Sequence, residues 1–394
     1  MTESGWIANP PHTTYFPRVL YFDHNATSPL IPEAREAWME ATERYIGNPS
    51  SLHRVGDRAD KALDQAREKL AGWLDCHPVD IVWTSGATEA NNMVIHHAAQ
   101  SLSEIATVWV SSIEHPCVIQ SVRQHFKKRN MFLPPEENGA FDISKLERSL
   151  AKRRPALFGL MASNNETGVV QEWQAALAAC RNAKVQYFCD ASQWLGKLPA
   201  KGLGECDFVS GSAHKFGGPR GVGFLKVPGE GKFAPMIHGG MQEEGRRAGT
   251  ENVAGILSMI AALETREKLI SEKAQADRAR IRGKFIEQLL EQLPGTEIVG
   301  ESAPRIWNTV SVLMPQADCQ QRWVVKLDKA GFAVSTGSAC ASGKEDPSHV
   351  LLAMKIDPED AGRVLRFSSS WETTEEDWNT LLRGIMDVAN DMES

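Results

Sequence analysis

From about residue 80 the chain alternates short apolar, β-branched runs with stretches of helical patterning. The segments 80–85 (DIVWTS), 107–113 (TVWVSSI) and 155–163 (PALFGLMAS) read as strands. Residues 87–99 and the stretches beginning at Pro116 and Gln171 read as the helices between and after them. Alternation of this kind marks crossover units on a mostly parallel sheet. A further strand over 185–190 is followed by two closely spaced ones, 206–212 (CDFVSGS) and 221–227 (GVGFLKV), split by a loop rich in Gly and His. Residues 251–293 keep a helical pattern with Gly283 as the one strong breaker, a span expected to bridge two domains. Beyond Pro294 the style changes. Strands at 306–314, 331–337 and 363–370, a helix around 319–330 and a last helix from Thr374 predict a smaller α+β unit. The expected division is 1–30 as a segment packing on the small domain or the cleft, 31–265 as the large domain and 266–394 as the small one.

Charge and cysteine usage narrow the function classes. With 43 Lys+Arg against 50 Asp+Glu the formal net charge is −7, which argues against a chain built to coat nucleic acid or anionic lipid. No apolar run reaches the roughly 18 to 20 residues that cross a bilayer, and the N-terminus lacks the basic start and apolar stretch of a secretory signal. A soluble, cytoplasmic protein is expected. The seven cysteines are scattered without a C-x-x-C pair, so neither a disulfide framework nor a zinc ribbon is expected, and no metal. Apart from Cys340, they lie in apolar or helical settings where a small hydrophobe is the default reading.

Three segments carry candidate chemistry. Ser85–Asn92 (SGATEANN) joins a predicted strand to a predicted helix, and a small-residue turn opening a helix suits a phosphate, or an ordinary Ser/Thr cap. Asp190 ends an apolar strand, the edge where open α/β sheets hold ligands. There it can hold the pyridinium nitrogen of pyridoxal 5'-phosphate (PLP) or cap the next helix. Lys215, flanked by His214 and small residues between two strands, is either a solvated turn residue or an amine able to bond a carbonyl cofactor. Its place some 25 residues after Asp190 favours the second.

As an ordered series, 22–30 (FDHNATSPL), 47–56 (GNPSSLHRVG), 84–92 (TSGATEANN), 114–118 (EHPCV), 164–171 (NNETGVVQ), 189–193 (CDASQ), 210–223 (SGSAHKFGGPRGVG), 238–252 (HGGMQEEGRRAGTEN), 335–343 (STGSACASG) and 366–370 (RFSSS) resemble the motifs of the cysteine desulfurases. These are PLP enzymes of the class V aminotransferase family and fold-type I architecture. The resemblance implies a large PLP-binding domain with a mostly parallel, seven-stranded sheet and a small α+β C-terminal domain carrying a catalytic cysteine loop. It implies Lys215 as the lysine that bonds the cofactor, Asp190 as the ring-nitrogen partner and Gln193 as the partner of the ring hydroxyl. His115 would stack on the ring and assist proton transfer. Ala87, Thr88, Ser212 and His214 would contact the phosphate, with Thr250 reaching it from the second subunit of a homodimer. Asn165, also a cofactor contact, and Arg366 would hold the substrate carboxylate, although an arginine in an apolar strand also suits pairing with a buried acid. Cys340 would take sulfur from L-cysteine as a persulfide, leaving L-alanine, and pass it to an acceptor protein. The alternatives are a selenocysteine lyase or other PLP β-lyase, an aminotransferase, and a sulfur-relay partner with a vestigial PLP site.

Overall fold

The computed structural model describes residues 19–229, 232–316, 322–336 and 347–393. In chain order it runs through β1 (Leu20–Tyr21), α1 (Pro32–Arg44), α2 (Arg54–Leu74), β2 (Ile81–Thr84), α3 (Ala87–Ser101), β3 (Val108–Ser111), α4 (Pro116–Phe126), β4 (Asn130–Leu133), α5 (Ile143–Lys152), β5 (Leu157–Gly159), α6 (Trp173–Ala183), β6 (Gln186–Asp190), β7 (Phe208–Ser212), β8 (Gly223–Lys226) and α7 (Val253–Leu269). It continues with α8 (Glu272–Gln292), β9 (Glu297–Ile298), β10 (Thr309–Leu313), α9 (Trp323–Lys329), β11 (Phe332–Ala333), α10 (His349–Ala353), α11 (Pro358–Ala361), β12 (Val364–Ser368) and α12 (Glu375–Glu393).

Seven strands form one sheet in the order β2-β8-β7-β6-β5-β3-β4, parallel except for β8, which runs antiparallel to both neighbours. This is the mostly parallel, seven-stranded sheet expected. Its inner strands are buried on both faces, which is why they read as near-continuous apolar runs. Trp109, Phe158, Tyr187 and Phe224 pack toward α2, α6 and α7 on one face, while Val110, Phe188, Phe208 and Leu225 pack toward α3 and α4 on the other. A smaller antiparallel sheet, β12-β10-β9, has its own core, in which Phe285, Leu289, Trp378 and Leu381 from α8 and α12 cover Val310, Val312 and Phe367. β1 pairs in parallel with β11.

The single helical span expected over 251–293 is two helices. Ile270 leaves helical conformation, and the Ser271 hydroxyl accepts from Ala274 N as the cap that starts α8. Gly283, the expected breaker, lies inside α8 with open space where a Cβ would stand.

Candidate active site

The carboxyl ends of β3, β5, β6 and β7 open into a cavity of about 510 Å³. Asp190, the last residue of β6, is buried; its Oδ1 accepts from Ser192 N at 2.9 Å and its Oδ2 from Asn91 Nδ2 at 2.8 Å. Lys215 follows the adjacent strand β7 by one tight turn. Its Nζ donates to the carbonyls of Asn25 (2.8 Å) and Ala26 (3.0 Å). Gln193 sits between these groups, donating from Nε2 to Asn25 O and accepting at Oε1 from Lys197 Nζ at 2.5 Å. Lys197 is itself buried and, by burial first and the nearby Lys215 and Arg366 cations second, is held well below the usual lysine pKa.

His115 caps α4: its Nδ1 accepts from Cys117 N at 3.2 Å and lies 2.9 Å from Cys117 Sγ. Pro116 at the first helical position has no N–H to leave unmet. Burial, foremost, lowers the His115 pKa, and with Nδ1 accepting, the neutral ring carries its proton on Nε2. Cys117 packs against the core as the small hydrophobe expected, and in addition lines the cavity with its Sγ bonded to His115 and Asn91.

The preceding residue, Glu114, is buried with Oε1 accepting from Met161 N, and burial, then Asp190, pushes its pKa up to about 8. Because the folded value is raised, the protonated carboxyl's stabilisation is complete below the ordinary range near 4.5 and is lost as pH rises through about 8. Glu114→Gln, neutral throughout and still able to accept from Met161 N, should therefore gain stability relative to wild type across that window. Denaturant unfolding at several pH values checks this, and a difference that stays constant with pH contradicts it.

The turn from β2 into α3 forms a cradle. α3 starts at Ala87 with no side chain capping its first turn, so the N–H groups of that turn face outward. A Cβ on Gly223 would lie 2.6 Å from Gly86 Cα and 2.4 Å from Gly211 O, so only glycine lets the β7–β8 hairpin approach this closely. Ala87, Thr88, Ser212 and His214 all line the cavity here. His214 Nδ1 lies 3.1 Å from Thr27 Oγ1, and burial, then Lys215, lowers its pKa to about 4. An uncapped helix start beside a serine hydroxyl suits a phosphate, and a carboxylate, an amide and a lysine beyond it suit a pyridine ring and its aldehyde. The donor set fits PLP.

Across the cavity, Arg366 on β12 is buried, with Nη1 donating to Asn165 O at 2.9 Å and Nη2 to Asp23 Oδ1 at 2.6 Å. Asn165 lines the same wall. Arg366 thus pairs with an acid, as its alternative reading has it, but Asp23 is only half-buried, and Arg366 lines the cavity all the same. Thr250 is exposed and does not line the cavity of its own chain. Cys340 lies outside the described residues. Asp23, Asn25, Asn91 and Lys197 were given no role from sequence, yet each bonds a site residue.

The family described as Aminotransferase class-V matches residues 20–381. The chain belongs to the class V aminotransferase family. Its class V relatives include the cysteine desulfurase IscS of Dictyoglomus turgidum, 35% identical over 373 residues that cover 93% of each protein. A cysteine desulfurase of Enterobacter agglomerans is 34% identical over 374 residues, covering 94% of this chain and 92% of that protein. Among solved structures, a NifS-like protein superposes with a TM-score of 0.84 at 29% identity over 95% of this chain and 100% of that one. A structure of SspA in complex with cysteine gives 0.77 at 27% identity, over 90% and 99%. This class V chain is an enzyme with the α/β fold of those relatives.

Proposed function

We propose that the protein is a PLP-dependent cysteine desulfurase that converts L-cysteine to L-alanine and carries the sulfur as a persulfide on Cys340. The observation that carries this reading is the convergence on one cavity of Asp190 from the end of β6, Lys215 from the turn after β7 and Arg366 from the middle of β12. Asp190 would hold the ring nitrogen, Gln193 the ring hydroxyl and His115 the ring face. The first N–H groups of α3 at Ala87 and Thr88, with Ser212 and His214, would hold the phosphate, and Thr250 of a second copy would complete that cup in a homodimer. When bound, PLP supplies an electron sink for the pair left at the substrate Cα.

The rest falls to side chains. Arg366 and Asn165 bind the substrate carboxylate and so orient Cα toward Lys215. The Lys215 amine takes the Cα proton. His115, neutral with its proton on Nε2, is suited to hand one on beside the ring. The Cys340 thiolate attacks the substrate sulfur: the new S–S bond forms as the C–S bond breaks, and a proton fills the carbon valence. Cysteine and enzyme thiol thereby become alanine and enzyme persulfide, with no external oxidant. The persulfide would then pass to an acceptor protein in the cytoplasm.

Arg366→Lys tests the substrate side. A point charge replaces a two-pronged donor already braced by Asp23 and Asn165. Losing one charge-assisted bond corresponds to about 1.5–3 kcal/mol, so kcat/KM for cysteine should fall about tenfold to a hundredfold, chiefly through KM. An unchanged KM places the carboxylate elsewhere.

A further inference from the structure

Asn91 stands one turn into α3, four residues after Ala87, in the helix whose start is given above to the phosphate. It is completely buried, and its Nδ2 donates both to Asp190 Oδ2 (2.8 Å) and to Cys117 Sγ (3.2 Å). Its Oδ1 has no partner among the described residues. A buried carboxamide with an unmet acceptor is unfavourable where an apolar side chain would pack, so what the position gains is the pair of N–H donors. Flipping the amide would set oxygen against the Asp190 carboxylate, which fixes its orientation.

The line continues through Cys117. Its thiol lies 2.9 Å from His115 Nδ1, and burial, above all, pushes its pKa up to about 12, so the sulfur keeps its proton and can donate to that nitrogen. Asp190, Asn91, Cys117 and His115 thus form one hydrogen-bonded chain joining the group under the ring nitrogen to the group against the ring face.

We propose that Asn91 is a positioning residue that sets the Asp190 carboxylate and, through Cys117, the His115 ring in the attitude a bound pyridine ring requires. The inference rests on the cavity being a PLP site. One helix then serves both ends of the cofactor, with its first turn for the phosphate and Asn91 for the ring.

The test compares wild type, Asn91→Leu, Asn91→Asp and Cys117→Ser as purified holoenzymes. The readouts are the absorption spectrum of bound PLP and its dissociation constant as a function of pH. Besides Cys117, the titratable groups facing His115 are Asp190 from β6, Lys215 from the turn after β7 and His349 from α10. Among the described hydrogen bonds, Asn91 reaches only Asp190 and Cys117. Asn91→Leu, of similar volume, should weaken PLP binding about tenfold to a hundredfold and shift the band. Asn91→Asp puts a second carboxyl beside Asp190, and two such groups share a proton. Its affinity should therefore hold while the shared proton lets the new carboxyl donate to Asp190, and fall as the pH rises and that proton is lost. Cys117→Ser keeps a donor between Asn91 and His115 and should weaken PLP binding less than Asn91→Leu does. Wild-type affinity and spectrum in both Asn91 variants would overturn the positioning role while leaving the function intact. A wild-type protein that takes up no PLP would overturn the reading of the cavity and this inference with it.

Discussion

Lys215→Ala is expected to abolish turnover and the absorption of lysine-bound cofactor together. The loss of a general base alone corresponds to about 10² to 10⁴ in rate, and here the same amine also anchors the cofactor. Among the described residues, Lys197 is the lysine placed to substitute. Lys197 is buried nearby with its pKa well below the usual value, but its Nζ is held by Gln193 Oε1 and Asn25 Oδ1 and does not line the cavity. Residual alanine formation in Lys215→Ala above about a hundredth of the wild-type rate would show that the proton at Cα is taken elsewhere. Absorption spectroscopy and an alanine assay on the same preparation suffice.

Cys340→Ser should separate the two halves of the reaction. Every group assigned to cofactor and carboxylate binding lies on elements other than the segment bearing Cys340, so the variant should bind PLP and L-cysteine as wild type does. A hydroxyl cannot accept the substrate sulfur, so alanine formation from cysteine should fall by orders of magnitude. Selenium leaves carbon more readily than sulfur, and some turnover of selenocysteine should survive. Wild-type rates of alanine production from cysteine in Cys340→Ser would favour a β-lyase or aminotransferase that does not use the thiol.

The sheet and the main site groups were legible because their signals are local. Buried parallel strands are short apolar runs, and Asp190 at the end of β6 and Lys215 in the turn after β7 stand out locally, whereas His115 is legible through the family resemblance alone. What escaped notice is set by partners remote in sequence. Asp23 meets Arg366 across 343 positions and Asn91 meets Asp190 across 99, and no local period announces either pairing. Asn25 is the strongest instance. It lies in a segment matched to the family by pattern, yet only the fold makes its carbonyl the shared acceptor of Lys215 and Gln193. β4 was missed because it is a short, half-buried edge strand directly after a Lys-Lys-Arg turn, with no apolar alternation to mark it. The break at Ser271 was missed because a serine cap is weaker punctuation than glycine, although its hydroxyl does the capping.

The sulfur itself is the most direct test of the proposed chemistry. Wild-type protein loaded with PLP is treated with L-cysteine without added thiol, and alanine is quantified while the protein is digested and mass-analysed. One extra sulfur atom on the peptide containing Cys340, in proportion to the alanine formed, is the predicted result. Alanine or pyruvate formed with no sulfur retained at Cys340 would contradict it.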